Sequence, residues 1–270
     1  TWEHLFSKHD LAHEFLYPFP DYKLPEQVLS DHYVQKYPKS WSHVTTNSPR
    51  DYHGLIADPG TIPFWETVGQ ANRFGDFANS FLIVAAADNS SVRNIVSRDF
   101  IHISGLLRRA PYRTLTEKTR GTDTTKKQLL DPDVTKTRSE HLIHRVPLQE
   151  DFHGGLPLAC HWEQRLRIEP SESVLFELIS PYYAFIKKTL SDNRQPRQFL
   201  DLTPMNIMVS PDGHFIPFDM EWETRFDITR QFIFFRGLFY FFQTRSSLIS
   251  LLAKDHPGLT LEALIARCFD

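Results

Sequence analysis

The chain is poor in cysteine and in unbroken apolar sequence. Its 270 residues include two cysteines, Cys160 and Cys268, which lie far apart and belong to no metal-ligand spacing. This excludes a disulfide framework and favours reduced thiols in a cytosolic compartment. The most aromatic stretch, 231–242, is interrupted by Arg236 and is shorter than the ~20 residues that a bilayer span requires. We therefore expect a buried helix there, with attachment to a membrane surface as the alternative.

A strong net charge and a glycine-rich nucleotide loop are also missing. The formal net charge of −3 gives no basic footprint, so we expect no nucleic-acid partner. No G-x-G-x-x-G sequence occurs, and the nearest substitute for a nucleotide-covering turn is Ser104-Gly105-Leu106-Leu107. His141 and His144 have helical spacing without a third ligand nearby, which indicates a pair of surface side chains rather than a zinc site.

What the chain does contain is a pattern of acidic and amide residues between 199 and 223. Asn206 follows Asp201 at an interval of five residues, and Asp219 follows Asn206 at an interval of 13. A β-prone run after Asn206 leads into the turn sequence Ser210-Pro-Asp-Gly213 and a second apolar run. The pattern predicts a β-hairpin that brings Asn206 and Asp219 to its open end.

This spacing is typical of a phosphoryl-transfer site. There, one aspartate orients or deprotonates the attacking hydroxyl, while an asparagine and a second aspartate hold the magnesium ions on the nucleotide phosphates. We therefore interpret Asp201 as the base and Asn206 and Asp219 as Mg²⁺ ligands, with ATP as the donor. Glu221, two residues past Asp219, is a candidate for a second metal or a cationic acceptor. The alternative is a solvated hairpin whose acidic residues serve only solubility.

The same segment resembles the catalytic and metal loops of the aminoglycoside phosphotransferase and choline kinase branch of the protein-kinase-like fold. In that branch a His-Gly-Asp-x-x-x-x-Asn element precedes an Ile-Asp-Phe/Trp-Glu-Tyr element, in whose place this chain has Phe218-Asp219-Met220-Glu221-Trp222. The first element differs, because Phe199 occupies the position of the histidine that props the loop. The resemblance implies a two-lobed kinase-like domain over 91–270, with a small lobe at 91–158 and a large lobe at 159–270.

A kinase-like site also needs a cation on the phosphates, normally a strand lysine paired with a helix glutamate. The strand-rich stretch before the hairpin offers Lys118, Lys126 and Lys127, and residues 134–146 suit a short helix carrying Glu140. We expect Lys126 to bind the phosphates with Glu140 as its partner, and Lys118 is the second candidate. For each lysine the simpler interpretation is an exposed surface charge.

The first third of the chain has a different character. Prolines in the run at 14–25, Glu-Phe-Leu-Tyr-Pro-Phe-Pro-Asp-Tyr-Lys-Leu-Pro, forbid a helix and favour an extended edge or loop. The continuous apolar run at 77–86 predicts a buried strand. Together these runs resemble the closing part of a class I SAM-dependent methyltransferase of bacterial surface-polysaccharide loci, over residues 1–87. The resemblance implies that the SAM-binding half is missing, and we expect the C-terminal piece of a longer polypeptide.

The two resemblances together imply the architecture of O-antigen chain-terminating proteins, in which a methyltransferase precedes a kinase domain acting on a glycan end. A composition change at 88–91 marks the expected boundary. The expected fold class is α+β, a kinase-like fold preceded by the last strands of a methyltransferase α/β sheet. The implied partners are a sugar or glycan acceptor and polysaccharide-assembly proteins, in the cytoplasm or at the surface of the inner membrane.

Helical periodicity predicts a helix at 173–190, kinked at Pro181, and a helical tail from Thr229. Two other functions stay open beside the phosphotransferase. One is a non-catalytic kinase-like module that docks a methyltransferase or glycosyltransferase onto polysaccharide machinery, which the phenylalanine at 199 and the missing glycine-rich loop favour. The other is a contribution to the acceptor pocket of the missing methyltransferase half.

Overall fold

The chain folds into two compact units. The computed structural model describes residues 2–19, 22–23, 25–38, 40, 67–69, 71–104, 108–133, 139–190, 196–254 and 258–269. The first unit comprises the described parts of 1–137 and 147–154, and the second comprises those of 138–146 and 155–270. The fold is mixed α+β, as the sequence predicts.

A seven-stranded sheet, antiparallel at every described pairing, forms the first unit. Its strands in chain order are β1 Ala12–Phe19, β2 Gln27–Ser30, β3 Leu82–Ala86, β4 Arg98–Ile103, β5 Thr114–Thr119, β6 Thr124–Leu129 and β8 Gln149–Asp151, while β7 Leu142–His144 belongs to the second unit. Their spatial order is β3-β1-β2-β4-β5-β6-β8. The helices of this unit whose bounds lie within the described residues are α1 Trp2–Lys8, α2 Asp31–Lys36, α3 Phe74–Phe77 and α4 Asn89–Ile95.

The core of the first unit is small and rich in aromatic rings. Its buried members are Tyr17, Phe19, Leu29, Tyr33, Val34, Val68 and Phe74. The Ser30 side chain caps α2 by accepting a hydrogen bond of 3.1 Å from the Tyr33 amide. The helix therefore begins where β2 ends and turns the Tyr33 ring to within 5.1 Å of the Phe100 ring on β4.

Pro18 lies in an interior strand, where a proline normally costs a ladder hydrogen bond. The register explains why it is tolerated. β1 pairs with β3 over Ala12–Leu16, whereas Pro18 pairs only with Val28 of β2. The missing N–H therefore removes no bond to β3. The prediction that the proline-rich run is extended is confirmed as far as Phe19.

The run at 77–86 contains a strand, as predicted, but the prediction that this strand is buried is wrong. The strand exists as β3, but it ends the strand order and pairs, among the described strands, with β1 alone. Leu82 is 57% exposed, and neighbouring Phe81 is also exposed. A continuous apolar run cannot by itself distinguish a central strand from an edge strand.

The boundary expected at 88–91 falls inside the first unit. Strand β2, which precedes it, pairs with β4, which follows it, so strands on both sides belong to one sheet. The boundary expected between the two lobes at 158–159 lies close to the chain's passage into the second unit at 154–155. The methyltransferase origin of residues 1–87 stays a prediction.

The second unit is mainly helical. Its helices are α5 Leu158–Ile168, α6 Glu172–Thr189, α7 Arg230–Thr244, α8 Ser246–Leu252 and α9 Leu261–Arg267. Two strand pairs accompany them: β9 Ile207–Val209 with β10 Phe215–Pro217, and β7 with β11 Trp222–Thr224. Short 3₁₀ turns cover Pro196–Phe199 and Pro204–Asn206.

The long helices start at capping side chains and bury one face each. Ser171 accepts from the Val174 amide at the start of α6, and Thr229 accepts from the Phe232 amide at the start of α7. The predicted helix at 173–190 and the helical tail from Thr229 are confirmed, and α6 continues through Pro181. In the core, the Trp162 ring lies edge-on to those of Tyr182 and Phe241. The buried rings fix α5 against α6 and α7.

The short helix predicted at 134–146 is wrong where it can be compared. Residues 142–144 form strand β7, because each pairs with a residue of β11. Residues 134–138 lie outside the described residues, as do 105–107 of the candidate nucleotide-covering turn. In the part of the chain that the structure describes, no helix combines the length and apolar character needed to cross a membrane.

Candidate functional site

The predicted hairpin is present between Asn206 and Asp219. Strands β9 and β10 are antiparallel. Ile207 pairs with Pro217 at the open end of the hairpin, and Val209 pairs with Phe215 next to the turn. At the turn, the Gly213 amide donates to the Ser210 carbonyl oxygen at 2.9 Å, and Gly213 has a φ of +83°. A residue with a side chain rarely adopts that conformation, so glycine closes the turn with little strain.

The open end of the hairpin brings Asn206 and Asp219 together. The Phe218 amide donates to the Asn206 carbonyl oxygen at 3.0 Å. The Asn206 side-chain amide then donates to the Asp219 carbonyl oxygen at 3.4 Å. Both residues are partly exposed. The structure therefore juxtaposes the two residues that the sequence predicts as metal ligands.

Asp219 has an unusual backbone conformation. Its φ is +57°, the left-handed region that non-glycine residues rarely occupy. A turn follows at once, because the Glu221 amide lies 3.1 Å from the Asp219 carbonyl oxygen. Such backbone strain persists only where surrounding contacts hold it, and it concentrates at functional sites.

Asp201 is buried and engages three donors. Its Oδ2 accepts from the backbone amides of Glu221 at 3.1 Å and Trp222 at 2.8 Å. Its Oδ1 accepts from Arg236 Nη2 at 3.3 Å. The predicted base is thus bonded directly to the segment that follows Asp219.

Burial sets the protonation behaviour of Asp201. Loss of solvent raises the pKa of this carboxyl, and the Trp222 amide and Arg236 offset the effect only in part, so the net pKa lies above its ordinary value. A carboxylate with a raised pKa is a stronger base than an exposed one. Two amide donors occupy the acceptor capacity of Oδ2, whereas Oδ1 has one described donor, Arg236, and retains an acceptor position.

The loop that carries Asp201 is anchored to two helices of the core. The Tyr182 hydroxyl of α6 donates to the Leu202 carbonyl oxygen at 2.7 Å. Arg236 of α7 donates through Nε to the Leu200 carbonyl oxygen at 2.8 Å. Backbone groups on both sides of Asp201 are therefore fixed by the helical core.

Glu221, the candidate second-metal or acceptor contact, is held by a histidine. Its Oε2 lies 3.2 Å from His144 Nε2, and the side chains are 2% and 1% exposed. The prediction that His144 is a surface residue of a helix is therefore wrong. The residue lies at the end of strand β7, and its ring packs 4.5 Å from that of Trp222. Sequence spacing gives no signal for this contact, because the two partners are 77 residues apart.

The donor set at the hairpin suits a magnesium ion that is also bound by phosphates. No group of three or more His, Cys, Asp or Glu side chains that could hold a metal occurs among the residues whose placement is given. Mg²⁺, however, usually takes one or two carboxylates and completes its octahedron with phosphate oxygens and water. The amide oxygen of Asn206 and the carboxylate of Asp219 fit that requirement.

Lys118, the second candidate for the phosphate lysine, is buried beside an acidic partner. Its Nζ lies 2.7 Å from Asp99 Oδ2, and both side chains are fully buried. The rings of Phe152 and Tyr37 lie 5.0 and 5.5 Å from the same nitrogen. Its partner therefore comes from the neighbouring strand β4 and not from a helix.

Two further side chains approach Asp99. His32 Nδ1 lies 3.0 Å from Oδ1, and Arg120 Nε lies 3.5 Å from it. Arg120 also bonds Glu14 at 2.7 Å. Burial alone raises the pKa of Asp99, but the hydrogen bonds from Lys118 and His32 outweigh it, so the net pKa is lowered.

Lys126, the first candidate, is exposed on β6, opposite Glu117 of β5. Glu140, its expected partner, is exposed in the bend before β7. Glu140 is thus not the helix glutamate that we expected. Neighbouring Lys127 is buried instead, since alternate residues of a strand face opposite sides.

A cleft of about 170 Å³ lies beside the segment that follows Asp219. Its lining residues are Arg145, Gln198, Met220, Glu221, Trp222 and Glu223. Glu223 is bonded to Arg145 at 2.8 Å. The cleft thus combines an aromatic ring, carboxylates, an amide and a guanidinium, groups that bond hydroxyls.

No family model matches the chain, and no curated protein or solved structure is significantly similar to it.

Proposed function

We propose that the chain is an ATP- and Mg²⁺-dependent phosphotransferase acting on a hydroxyl of a sugar or glycan end. The observation that carries the proposal is the convergence at the hairpin. Asn206 bonds Asp219, and Asp201 bonds the amides of Glu221 and Trp222 immediately beyond it. Three residue types that phosphoryl transfer uses are thereby held in one hydrogen-bonded arrangement.

The residues take separate roles in this reaction. Asn206 and Asp219 would hold Mg²⁺, which would neutralise charge on the phosphates. The acceptor oxygen forms a bond to the γ-phosphorus of ATP while the bond from that phosphorus to the bridging oxygen breaks and ADP leaves. Oδ1 of Asp201 receives the proton of the acceptor hydroxyl, and its raised pKa favours that transfer.

The acceptor class rests on two supports. The cleft beside Glu221 and Trp222 has the hydrogen-bonding groups and the ring that a sugar needs. The resemblance of residues 1–87 to a SAM-dependent methyltransferase of surface-polysaccharide synthesis suggests a glycan end as the acceptor to test first. In that setting the polysaccharide-assembly proteins are partners, and the enzyme works in the cytoplasm or at the inner surface of the membrane.

Calorimetric titration with ATP, with and without Mg²⁺, tests the nucleotide site. We expect the wild-type chain to bind ATP only when Mg²⁺ is present, because the two ligands act through the metal. Asp219→Ala removes the carboxylate ligand and is expected to abolish the metal-dependent binding. Asp212→Ala is the matched control, since Asp212 is an exposed aspartate in the turn of the same hairpin.

The control variant should bind as the wild type does. Absence of metal-dependent binding in the wild type would contradict the proposal, and so would unchanged binding in Asp219→Ala.

A non-catalytic docking module is the second candidate, and the surroundings of Asp201 favour it. A buried carboxylate with three donors is also what a purely structural residue would show. Such a module would be indifferent to ATP and Mg²⁺ in the same titration. Its binding to a methyltransferase or glycosyltransferase partner would survive Asp219→Ala.

A further inference from the structure

The pair formed by His144 and Glu221 is buried next to the hairpin. His144 Nε2 and Glu221 Oε2 lie within hydrogen-bonding distance, at 3.2 Å. A ring N–H can donate, whereas a carboxylate only accepts. Burial of a charged group is costly unless the group is hydrogen-bonded. The contact with His144 therefore stabilises the segment that carries Glu221. Breaking it would leave Glu221 in a place from which water is largely excluded.

Several contacts hold Glu221 in place. Its amide bonds Asp201 Oδ2 at 3.1 Å. Its carbonyl oxygen accepts from the Arg145 amide at 2.8 Å. Its side chain bonds His144. The last two of these contacts come from His144, at the end of β7, and from Arg145, which follows it, in a part of the chain remote in sequence from the hairpin.

These contacts bear on the conformation of Asp219. Residue 221 follows it by two positions, and the Glu221 amide also faces the Asp219 carbonyl oxygen at 3.1 Å. The left-handed φ of Asp219 is unfavourable for an aspartate unless the neighbouring chain is fixed. Fixing Glu221 therefore helps to hold the backbone conformation from which the Asp219 side chain extends.

We propose that His144 is a positioning residue, whose hydrogen bond to Glu221 holds Asp219 in the conformation that binds Mg²⁺ and ATP. The inference rests on the proposed phosphotransferase function. It assigns the support of the segment around Asp219 to His144, a residue of strand β7. Phe199 packs against the core of the second unit and has no side-chain donor with which to give that support.

Two substitutions separate the hydrogen bond from simple packing. His144→Phe keeps a ring against Trp222 but loses the donor, whereas His144→Gln loses the ring and keeps an N–H at a similar reach. We expect His144→Phe to weaken Mg²⁺-dependent ATP binding by about 10–100-fold, the usual effect of losing a group that orients a metal ligand. His144→Gln should bind nearly as the wild type does. Any other ranking of the two variants overturns the proposal.

Hydrogen exchange gives a readout that does not need the nucleotide. The amides of Glu221 and Trp222 bond Asp201, so their exchange reports whether the segment stays in place. We expect faster exchange in His144→Phe and wild-type exchange in His144→Gln. His141→Phe is the matched control, because His141 is exposed three residues earlier and should leave both readouts unchanged.

The two measurements distinguish the possible failures. If the wild type binds no ATP, the proposed function fails while exchange still tests the positioning role. Unchanged exchange in His144→Phe overturns the role of His144 whether or not the protein binds nucleotide.

Discussion

Asp99→Ala is expected to lower the free energy of unfolding of the first unit by about 3–5 kcal/mol, the usual cost of breaking a buried ion pair by removing one partner. In the wild type the fully buried ammonium of Lys118 lies 2.7 Å from the Asp99 carboxylate, and the variant removes that carboxylate. The aromatic rings of Tyr37 and Phe152 offset only part of that loss. Chemical denaturation followed by circular dichroism measures the change.

The double variant Asp99→Ala/Lys118→Met tests the stated cause. A buried ion pair can often be replaced by apolar side chains at little cost, so the double variant should recover most of the lost stability. Arg120 keeps Glu14 as a partner in this background. Arg98→Ala is the surface control, because it breaks an exposed pair with Glu117 and should cost less than about 1 kcal/mol. Equal losses in Asp99→Ala and the double variant would contradict the explanation.

The same pair predicts a dependence on pH. The pKa of Asp99 in the folded chain is lowered below its ordinary value, so its stabilising contribution is complete above about pH 4. The contribution is lost as the pH falls through the folded-state pKa. Below about pH 4, the free energy of unfolding of the wild type should therefore fall relative to that of the double variant. Above that pH the difference between the two proteins should stay constant.

Gly237→Ala is expected to destabilise the second unit by about 2–3 kcal/mol, in the upper part of the range for overpacking a core. In an ordinary helix this change stabilises by ~1 kcal/mol, since alanine is the better helix former. Here a methyl group on Gly237 would overlap the Tyr182 hydroxyl and crowd Pro204 at 3.1 Å. The Tyr182 ring is fully buried, so it cannot move aside without opening the core.

The overlap also predicts a partial rescue. Tyr182→Phe removes the hydroxyl that collides, although the ring carbon that bore it would still lie 2.9 Å from the added methyl group. The loss in the double variant should therefore be smaller than the sum of the two single losses, a coupling that a double-mutant cycle measures. Strict additivity would show that the cost of Gly237→Ala does not arise from the Tyr182 hydroxyl.

Local features of this fold could be read from the sequence, whereas distant pairings could not. The hairpin between Asn206 and Asp219 follows from the turn at 210–213, and α6 follows from its apolar period. His144 gave no such signal, because its partner Glu221 is 77 residues away in sequence and comes close only through the pairing of β7 with β11. The three-residue spacing of His141 and His144 fits a helix, but it does not exclude a short strand such as β7. Only the pairing partner, which the sequence does not reveal, distinguishes the two.

The lysine candidates show the same limit. Distance along the chain favoured Lys126 with Glu140, but the pleat of β6 leaves Lys126 exposed, and Glu140 lies in a bend. The acidic partner of Lys118 is Asp99, which lies 19 residues upstream on the adjacent strand and is brought close by the pairing of β4 with β5. A register between strands is a tertiary property, and the pattern of one strand does not specify it.

The path of the chain between its two units constrains how the protein can be divided. The segment 138–146 belongs to the second unit, yet it is flanked on both sides by sequence of the first. A fragment ending at 137 would lose β8 from the sheet, and one starting at 155 would lose β7 together with His144. No single cut therefore yields two complete halves. A fragment that preserves one unit has to carry a short piece of the other: 1–154 contains the first unit together with 138–146 of the second, and 138–270 contains the second unit together with 147–154 of the first.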